Sequence, residues 1–545
     1  MSTIRSTKHH QPRHWKQVLL FGSIFFGGTL YLDNGDSTSG IVHTVKAIRR
    51  VGQAGVVGLE VALDYQWWYL SCRYNQDAED LVEVKKRQCH LKSAKRVLDG
   101  LQQLGGIYVK LGQHISAMKY ILPIEWTSTL EVLQDRCDPT STRQELEHLF
   151  LTDYGLPLEQ VFDVFDWDHP LGVASLAQVH KARLASTGEW VAVKLQHPRL
   201  DEFCKMDLET VQAIVGCIKW VFPDFGFEWI LQEMQDALPL ELDFVNEANN
   251  ARQVDRNFHG GSEDDLALVI PRILWAQRRI LCMEFIEGAR PDDLDYMRSH
   301  HIDPLQVSSE ITTIFSKMMF IHGHSSYCGS SSLDPGNILI RPNTTRQKHR
   351  LNFDVVLLDH GQYRTLDHDM RLDYAHLWTS LIRGDEAGIE LYASRLGCRQ
   401  QSHRLFASLL TGREWHTIEA ANLSSLKSTV EVSRVSGRTG LFLHKIADIL
   451  ATLPRVMLLL LKTSDLLRHL DESLRPPSVS SRKNYALMIH DCARAVWLDA
   501  REKLWLRFGE PTTDRWWHWW STWCCDYVHA WWEYHSLDWA LWLYE

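Results

Sequence analysis

The sequence predicts an α+β protein with a small sheet-rich lobe and a helical lobe. Apolar residues recur at helical spacing through residues 41–155. Short strand-like runs then appear between Val161 and Gly288, interrupted by helical patterns at 201–220 and 227–254. Helical patterns return from residue 391 onward. Strands and helices mixed in this order are typical of the α+β class.

The composition is that of a folded globular chain. Of 545 residues, 45% are apolar and 23% are charged. The net charge of −10 argues against a general nucleic-acid binder, because no excess of Lys and Arg is available for phosphates. The eleven cysteines form no C-x-x-C pair, so we expect buried free thiols and no zinc ribbon or disulfide scaffold.

The amino-terminal segment differs from the rest of the chain. Residues 1–16 are basic and lack acids, as in a targeting leader, and residues 17–33 contain an uncharged apolar run of 15 residues. A helix that spans a bilayer needs ~20 residues, so this segment predicts a marginal membrane anchor. We interpret the pair as mitochondrial targeting with an inner-membrane anchor. A secretory signal peptide and a buried amino-terminal helix are the alternatives.

Residues 41–155 predict a helical extension. The aromatic residues Trp67, Trp68 and Tyr69 are expected to pack on a neighbouring helix, with a membrane interface as the alternative. Gly105-Gly106 separates one helix from a second that contains Lys110 and Gln113. A further helix is predicted near Arg143 to Tyr154.

Residues 160–390 contain the pattern that predicts nucleotide chemistry. Lys194 ends a buried Val-Ala-Val-Lys strand, where a lysine needs an anion such as phosphate. The acidic residues Glu241, Asp243 and Glu247 follow, and one of them should pair with Lys194, although spacing does not decide which. A solvated lysine and a solvated acidic face are the alternatives.

Asn337 and Asp359 flank two apolar strand patterns and are candidate magnesium ligands, because magnesium prefers oxygen donors. Two turn residues without a metal role are the alternative. The segment 172–180, with Gly172, Ala174 and Ser175, takes the place of a glycine-rich phosphate loop but contains a single glycine. It should therefore be stiffer than such a loop.

The carboxyl-terminal part is predicted to be helical over residues 391–476. A polar linker at 477–483 leads to a tail, 484–545, that contains half of the chain's 22 tryptophans. We expect these rings to pack the tail onto the body, with a membrane surface as the alternative.

These motifs resemble the UbiB/AarF family of atypical kinase-like proteins, in particular its mitochondrial AarF-domain-containing branch. The matches are Lys110-Leu-Gly-Gln113, the loop 172–180, Val191-Ala-Val-Lys194, Glu241-Leu-Asp243, Pro335-Gly-Asn337 and Asp359-His-Gly361. The resemblance covers about residues 95 to 390, and the lysine-x-glycine-glutamine signature is its most specific part.

The resemblance implies a protein-kinase-like two-lobed fold with an amino-terminal helical extension laid across the active site. It implies binding of ATP or ADP with Mg²⁺, and a role in mitochondrial lipid or quinone homeostasis with a lipid or small-molecule acceptor. Lys110 and Gln113 would then gate the nucleotide site. Backbone groups of 284–288, from Glu284 to Gly288, would contact adenine.

One departure from the family pattern bears on catalysis. The family's catalytic Asp lies five residues before its Asn, but here Ser332 occupies that position before Asn337. A serine hydroxyl cannot accept the substrate proton as a carboxylate does, which leaves Asp334 as the nearby carboxylate. The sequence therefore predicts a kinase or ATPase, with a pseudokinase scaffold as the alternative. A membrane-surface adaptor and a wrongly predicted splice junction at this segment are further alternatives.

Overall fold

The computed structural model describes most of the chain between residues 38 and 536. The described residues are 38–75, 79–116, 122–135, 141–174, 176–198, 200–221, 228–259, 266–322, 335–343, 351–361, 363, 365–399, 402–421, 449, 452–476, 479, 482–508, 528, 531, 532 and 534–536. The predicted leader and anchor, residues 1–33, lie outside them.

The amino-terminal extension is helical, as predicted. Its helices are α1 (Thr38–Asn75), α2 (Glu79–Leu104), α3 (Ile107–Ser116), α4 (Ile124–Leu130), α5 (Val132–Asp135), α6 (Arg143–Tyr154) and α7 (Leu158–Val161). Helices α1 and α2 form a hairpin joined by the ion pairs Lys92–Asp64 and Arg96–Glu60. Between α2 and α3, Gly105 and Gly106 both adopt positive φ angles (66° and 57°), which explains why the chain turns there.

Helix α6 begins and ends where the sequence predicts. Thr142 and Glu145 form a reciprocal capping box at its start, and Gly155 adopts a left-handed conformation (φ 84°) at its end. Its buried residues Leu146, Leu149 and Phe150 cover the outer face of the following sheet.

That sheet builds the small lobe. Its strands are β1 (Phe162–Phe165), β2 (Gly172–Val173), β3 (Ala177–Leu184), β4 (Trp190–Gln196), β6 (Ile273–Gln277) and β7 (Ile280–Glu284). The antiparallel order is β1-β3-β4-β7-β6, with β2 paired to β3. Val191 and Val193 of β4 face the α6 side, whereas Ala192 belongs to the cluster on the opposite face. Burial on both faces explains the apolar Val-Ala-Val run.

Three helices follow β4: α8 (Leu200–Val221), α9 (Glu228–Glu241) and α10 (Phe244–His259). The sequence predicts a continuous helical region from 227 to 254, but the structure breaks it between Glu241 and Phe244. Asp243 explains the break, because its carboxylate accepts a hydrogen bond from the backbone N–H of Val245 (3.0 Å) and so caps α10.

The helical lobe contains a second sheet of β5 (Leu268–Val269), β8 (Ile338–Pro342) and β9 (Phe353–Leu357), in the order β5-β9-β8. Strands β8 and β9 are antiparallel, with Ile338 opposite Leu357. The start of β8 and the end of β9 therefore lie at the same end of this strand pair. The helices α11 (Leu294–Ser299) and α12 (Pro304–Phe320) complete this region, and α12 is mostly buried beside the sheet.

The described residues of the carboxyl-terminal part are mostly helical, as predicted. Its helices are α13 (His368–Arg383), α14 (Glu386–Arg395), α15 (His403–Thr411), α16 (Trp415–Glu419), α17 (Arg455–Leu474) and α18 (Arg482–Phe508). A buried polar junction joins them to α12, in which Asp471 accepts hydrogen bonds from Ser308 (2.8 Å) and Asn484 (2.6 Å). The α+β prediction, with its helical extension and helical carboxyl-terminal region, is confirmed.

The aromatic residues outside the lobes follow two patterns. Within the tail, Tyr534 stacks on Trp497 of α18 with ring centroids 5.2 Å apart. Helix α18 packs onto the body as expected, because its residues Met488, Cys492 and Ala495 belong to a hydrophobic core shared with the other carboxyl-terminal helices, whereas Trp531 and Trp532 are exposed. On α1, by contrast, Trp67 is 76% exposed and Tyr69 is 46% exposed, so the packing predicted for these two residues is wrong. Helix α2 instead contacts the side of α1 that carries Glu60 and Asp64. In the described part of the chain, no helix is both long and apolar enough to cross a membrane.

Candidate functional site

Five charged side chains meet where the helical extension, the small lobe and the second sheet converge. They are Lys110 of α3, Lys194 of β4, Glu241 at the end of α9, Glu247 of α10 and Asp359 after β9. We call them the charged cluster. Sequence reasoning singled out all five, but not their pairing.

Lys194 pairs with Glu247. Its ammonium nitrogen lies 2.8 Å and 2.9 Å from the two carboxylate oxygens, and it also lies 5.0 Å from the centroid of the Phe244 ring. Strand β4 brings the lysine to the inner face of the sheet, and the first turns of α10 bring the carboxylate beneath it. The glutamate side chain is 3% exposed, so the ion pair is shielded from water.

Lys110 pairs with Glu241 at 2.7 Å, which joins α3 of the extension to the end of α9. The helix can approach closely because residue 112 is glycine: a Cβ there would lie 2.3 Å from Leu133 Cδ1 and 2.8 Å from Leu101 Cδ1. Gln113 lies three residues after Lys110, and its amide nitrogen donates to the carbonyl oxygen of Leu133 (2.9 Å). Of the two polar residues in the signature, Lys110 thus belongs to the charged cluster, whereas Gln113 bonds to the backbone of the extension.

Asp359 and Asn337 lie at the shared edge of β8 and β9, as the sequence predicts. The amide nitrogen of Asn337 donates to Asp359 Oδ2 at 3.1 Å, and the backbone N–H of Gly361 donates to Asp359 Oδ1 at 2.8 Å. A Cβ on Gly361 would lie 3.2 Å from Asp359 Oδ1 and 3.9 Å from Glu247 Oε2. The carboxylates of Asp359 and Glu247 are therefore close neighbours.

The residue after Asp359 is held in place by three contacts that sequence reasoning missed. His360 Nε2 donates to the carbonyl oxygen of Leu357 (3.2 Å), so its Nδ1 accepts from the hydroxyl of Tyr363 (2.7 Å). The amide of Asn250 on α10 donates to the carbonyl oxygen of His360 (2.9 Å). The signal that could have found them is the polar Asp-His-Gly-x-Tyr turn that follows a strand of mostly apolar residues.

The charges of the cluster shift each other's pKa values. Burial disfavours the charged form of Lys194, but the carboxylates of Glu247, Asp359 and Glu241 outweigh it and hold the pKa above its ordinary value. Burial, with the nearby charge of Asp359, raises the pKa of Glu247 to about 7 despite the attraction of Lys194. The cluster thus contains three carboxylates and two ammonium groups. When all five are ionised, its net charge is negative, and an additional cation would be attracted to it.

Of the phosphate-loop candidates, Gly172 lies in β2 and Ala174 lies in the turn between β2 and β3. Gly172 pairs with Val179, and the N–H of Ala174 donates to the carbonyl oxygen of Ala177 (2.8 Å). The carbonyl oxygen of Ala174 accepts from His197 Nε2 (3.0 Å), beyond the end of β4. Both backbone groups of Ala174 are engaged within the protein, in line with a stiffer loop. Ser175 lies outside the described residues.

The connector after β7 holds Glu284 and Gly288. The carboxylate of Glu284 accepts from the backbone N–H of Arg272 (3.3 Å), which orients it towards the outer strand β6. At Gly288 a Cβ would lie 3.0 Å from the carbonyl oxygen of Ile340, so the connector passes close to β8. Beside it, Ala192 and Met283 contribute to an apolar patch on the inner face of the sheet, which sequence reasoning missed.

The remaining candidates divide into two groups. Asp243 was one of three acids that could pair with Lys194, but it caps α10 instead. Glu247 makes the pair with Lys194. Asp334 and Ser332 lie outside the described residues, so the catalytic assignment stays a prediction.

The donor chemistry of Asn337 and Asp359 fits magnesium, which prefers carboxylate and amide oxygens and completes its octahedron with phosphate and water. Within the described ranges, no group of three or more His, Cys, Asp or Glu residues forms a metal site of its own. Two protein ligands leave the remaining positions of the magnesium octahedron to phosphate and water oxygens.

Comparison with known proteins gives consistent results. Residues 132–393 match the ABC1 atypical kinase-like domain. The chain is 36% identical over 512 residues to the ABC1 family protein MCP2 homolog of Schizosaccharomyces pombe, covering 92% of this chain and 89% of that protein. It is 37% identical over 485 residues to mouse AarF domain-containing protein kinase 1, covering 88% and 87%. The ABC1 family protein MCP2 of Saccharomyces cerevisiae is 35% identical over 512 residues, covering 92% and 88%.

Proposed function

This chain belongs to the ABC1/AarF family of atypical kinase-like proteins, and from that premise we propose that it binds ATP or ADP with Mg²⁺ in the charged cluster. The observation that supports the proposal best is the Lys194–Glu247 pair at 2.8 Å, adjacent to Asp359 and Asn337. Phosphoryl-transfer sites use a lysine held by a glutamate on the phosphates, with an Asp and an Asn on the metal.

Each residue of the cluster has a proposed task. Lys194 would bind the phosphates, and Glu247 would hold the lysine in place. Asn337 and Asp359 would hold the metal, which would supply positive charge against the phosphate oxygens. The apolar patch that includes Ala192 and Met283 would face the adenine, and backbone groups of residues 284–288 would contact its edge.

The extension supplies the distinctive part of the site. Lys110 enters the charged cluster and is fixed there by Glu241 at 2.7 Å. In this position a second cation would share the phosphate charge with the metal, and the helix would occlude a protein substrate. A lipid or small molecule therefore fits as phosphoryl acceptor better than a protein. We place this activity in mitochondria, in lipid or quinone homeostasis at the inner membrane.

A kinase or ATPase is the first candidate, with Asp334 as the carboxylate for the acceptor's proton. A pseudokinase scaffold is the second, favoured by Ser332 at the place of the family's catalytic Asp. Purified protein with radiolabelled ATP separates the two. Turnover above that of Asp359→Ala supports the enzyme, whereas turnover equal to it supports the scaffold.

The nucleotide proposal is tested by Lys194→Met. The change removes the charge that meets the phosphates, so the thermal shift caused by nucleotide should disappear, because that shift reflects binding to the folded state. The matched control is Lys503→Met, which breaks a lysine–carboxylate pair of similar length (2.9 Å, to Asp499) on α18. This control should keep the full shift.

Lys194→Met also leaves Glu247 without its cation, and breaking a buried pair costs about 3 kcal/mol of stability. The double variant Lys194→Met/Glu247→Gln removes that charge and should recover part of the melting temperature without recovering the nucleotide shift. A full nucleotide shift in either variant would contradict the assignment of Lys194.

A further inference from the structure

Helix α1 carries an apolar stripe that faces solvent. Seven large apolar residues of α1 are exposed, and all but Tyr69 follow each other three or four positions apart, so these six share one face of the helix. At 100° per residue they lie within roughly 80° of the helix circumference and extend over about 27 Å. The stripe consists of Val56, Leu59, Leu63, Trp67, Leu70 and Tyr74.

The stripe is more exposed than a packed helix face would be. Trp67 is 76% exposed and Tyr74 is 90% exposed, whereas Ala54 and Val51 on the same helix are buried. On α2, Leu81, Val84 and Leu91 are exposed as well. Six exposed apolar side chains on one face of a helix mark an interaction site, because soluble proteins seldom leave such a face uncovered.

The charge of the hairpin indicates the partner. Helices α1 and α2 together contain ten Lys and Arg against six Asp and Glu, in a chain with a net charge of −10. The hairpin is thus a basic region of an acidic protein. Apolar residues with tryptophan and tyrosine beside basic residues are the signature of a helix that lies in the interface of an anionic membrane.

The chain that precedes the hairpin supports the same partner. The apolar run of residues 18–32 ends six residues before α1 begins at Thr38. If that run enters a bilayer, five residues of about 3.5 Å each keep the start of α1 within ~20 Å of the surface. The start of α1 would then lie near the same membrane, and a helix lying along the surface would bring the stripe to it.

We propose that the α1 stripe docks onto an anionic phospholipid surface, with α1 parallel to the membrane. The proposal extends the membrane location proposed above by naming the surface that makes the contact. It also gives the extension a second task, because α3 with Lys110 follows directly after this hairpin. The membrane and the nucleotide cluster are then joined through one helical unit.

The test is flotation of the full chain with vesicles of phosphatidylcholine, or of phosphatidylcholine with one third phosphatidylglycerol. The stripe variant carries Leu63→Ser, Trp67→Ser and Leu70→Ser. The matched control carries Leu151→Ser, Trp190→Ser and Leu391→Ser, two leucines and a tryptophan that are exposed elsewhere. We expect the partition coefficient of the stripe variant on anionic vesicles to fall about tenfold or more, and that of the control to stay unchanged.

A charge-reversal variant, Lys86→Glu with Lys95→Glu, should lose binding to anionic vesicles and keep any binding to phosphatidylcholine alone. If residues 1–33 dominate flotation, hydrogen exchange of the wild type tests the contact directly. The backbone amides of residues 56–74 should exchange more slowly in the presence of anionic vesicles than in their absence. Circular dichroism shows whether the triple variant folds, and Leu70→Ser alone repeats the test if it does not.

Two results would overturn the proposal. One is equal flotation of the stripe and control variants together with unchanged exchange in residues 56–74. The other is a lipid-free dimer, seen in sedimentation, that the stripe variant abolishes, since the occupant would then be a second copy of the chain. The nucleotide thermal shift is measured in parallel and should stay intact in the stripe variant, so a failure here is distinguishable from a failure of the nucleotide site.

Discussion

At the scale of single residues, His360 shows how contacts fix a protonation state. Its Nε2 donates to the carbonyl oxygen of Leu357 and its Nδ1 accepts from Tyr363, so the neutral ring satisfies both partners. Burial lowers the pKa of His360 to about 4 from an ordinary value of 6.5. The imidazole beside Asp359 is therefore uncharged. It supports the turn after β9 through its hydrogen bonds and does not add a positive charge to the cluster.

This state makes stability depend on pH. As the pH falls below 6.5, the unfolded chain takes up a proton at His360, whereas the folded protein does not until about pH 4. The unfolded state is favoured across that window, and near pH 5 the loss is about 2 kcal/mol. In His360→Gln, the free energy of unfolding should fall less steeply with acid over this range than in the wild type.

Urea titrations at several pH values measure this slope. His148→Gln, at an exposed position of α6, is the control and should keep the wild-type slope. A His360→Gln variant that loses stability in acid as steeply as the control would show that another group is responsible.

At the scale of elements, the glycine of the Lys-x-Gly-Gln signature has a packing role. Gly112 lets α3 pack against Leu133 and Leu101, both buried, with no room for a Cβ. Gly55 of α1 is also helical, but nothing lies within 4 Å of its Cβ position. A glycine-to-alanine substitution can therefore be compared at a crowded position, Gly112, and at an open one, Gly55.

Gly112→Ala should lower the free energy of unfolding by about 1–3 kcal/mol, because overpacking outweighs the helix propensity of alanine. Gly55→Ala should raise it by up to about 1 kcal/mol, because only the propensity changes. Denaturant titrations of both variants test whether the two changes in the free energy of unfolding have opposite signs. Stabilisation by Gly112→Ala would mean that the leucines move aside and that the glycine does not set the position of α3.

The elements also show how far the sequence could predict the structure. The break between α2 and α3 and both ends of α6 were predictable, because glycines and a capping box determine them locally. The break between α9 and α10 was missed, because the capping by Asp243 lies inside a continuous helical pattern. The exposure of Trp67 was missed because periodicity does not reveal which face a neighbouring helix covers.

At the scale of the whole molecule, the site depends on contacts between residues far apart in sequence. The sequence predicted that Lys194 pairs with one of three acids. The arrangement of α9 and α10 decides the partners: Glu247 pairs with Lys194, and Glu241 pairs with Lys110. Asn337 and Asp359 were easier to place together, because the strands they flank form an antiparallel pair. Such pairing follows from local strand patterns, whereas the lysine partners follow from how the helices pack.

The extension, the small lobe and the second sheet are expected to act together on one ligand. If Asn337 and Asp359 share magnesium with a nucleotide, metal and nucleotide should tighten each other by the same factor. Asp359→Asn should abolish the magnesium dependence of ATP affinity, because the ion loses its carboxylate ligand. Lys110→Ala should increase it, because the ammonium group no longer competes with magnesium for phosphate charge.

Isothermal titration with ATP, with and without magnesium, measures both effects. Asp163→Asn is the control, since this exposed carboxylate on β1 pairs with Arg183 (2.7 Å) on β3. It should show the wild-type dependence. Equal magnesium dependence in the wild type and Asp359→Asn would contradict the metal assignment, because a site whose carboxylate can be neutralised without effect does not hold the ion. An unchanged dependence in Lys110→Ala would instead confine α3 to a structural role, since a lysine that shares no charge with the phosphates cannot gate them.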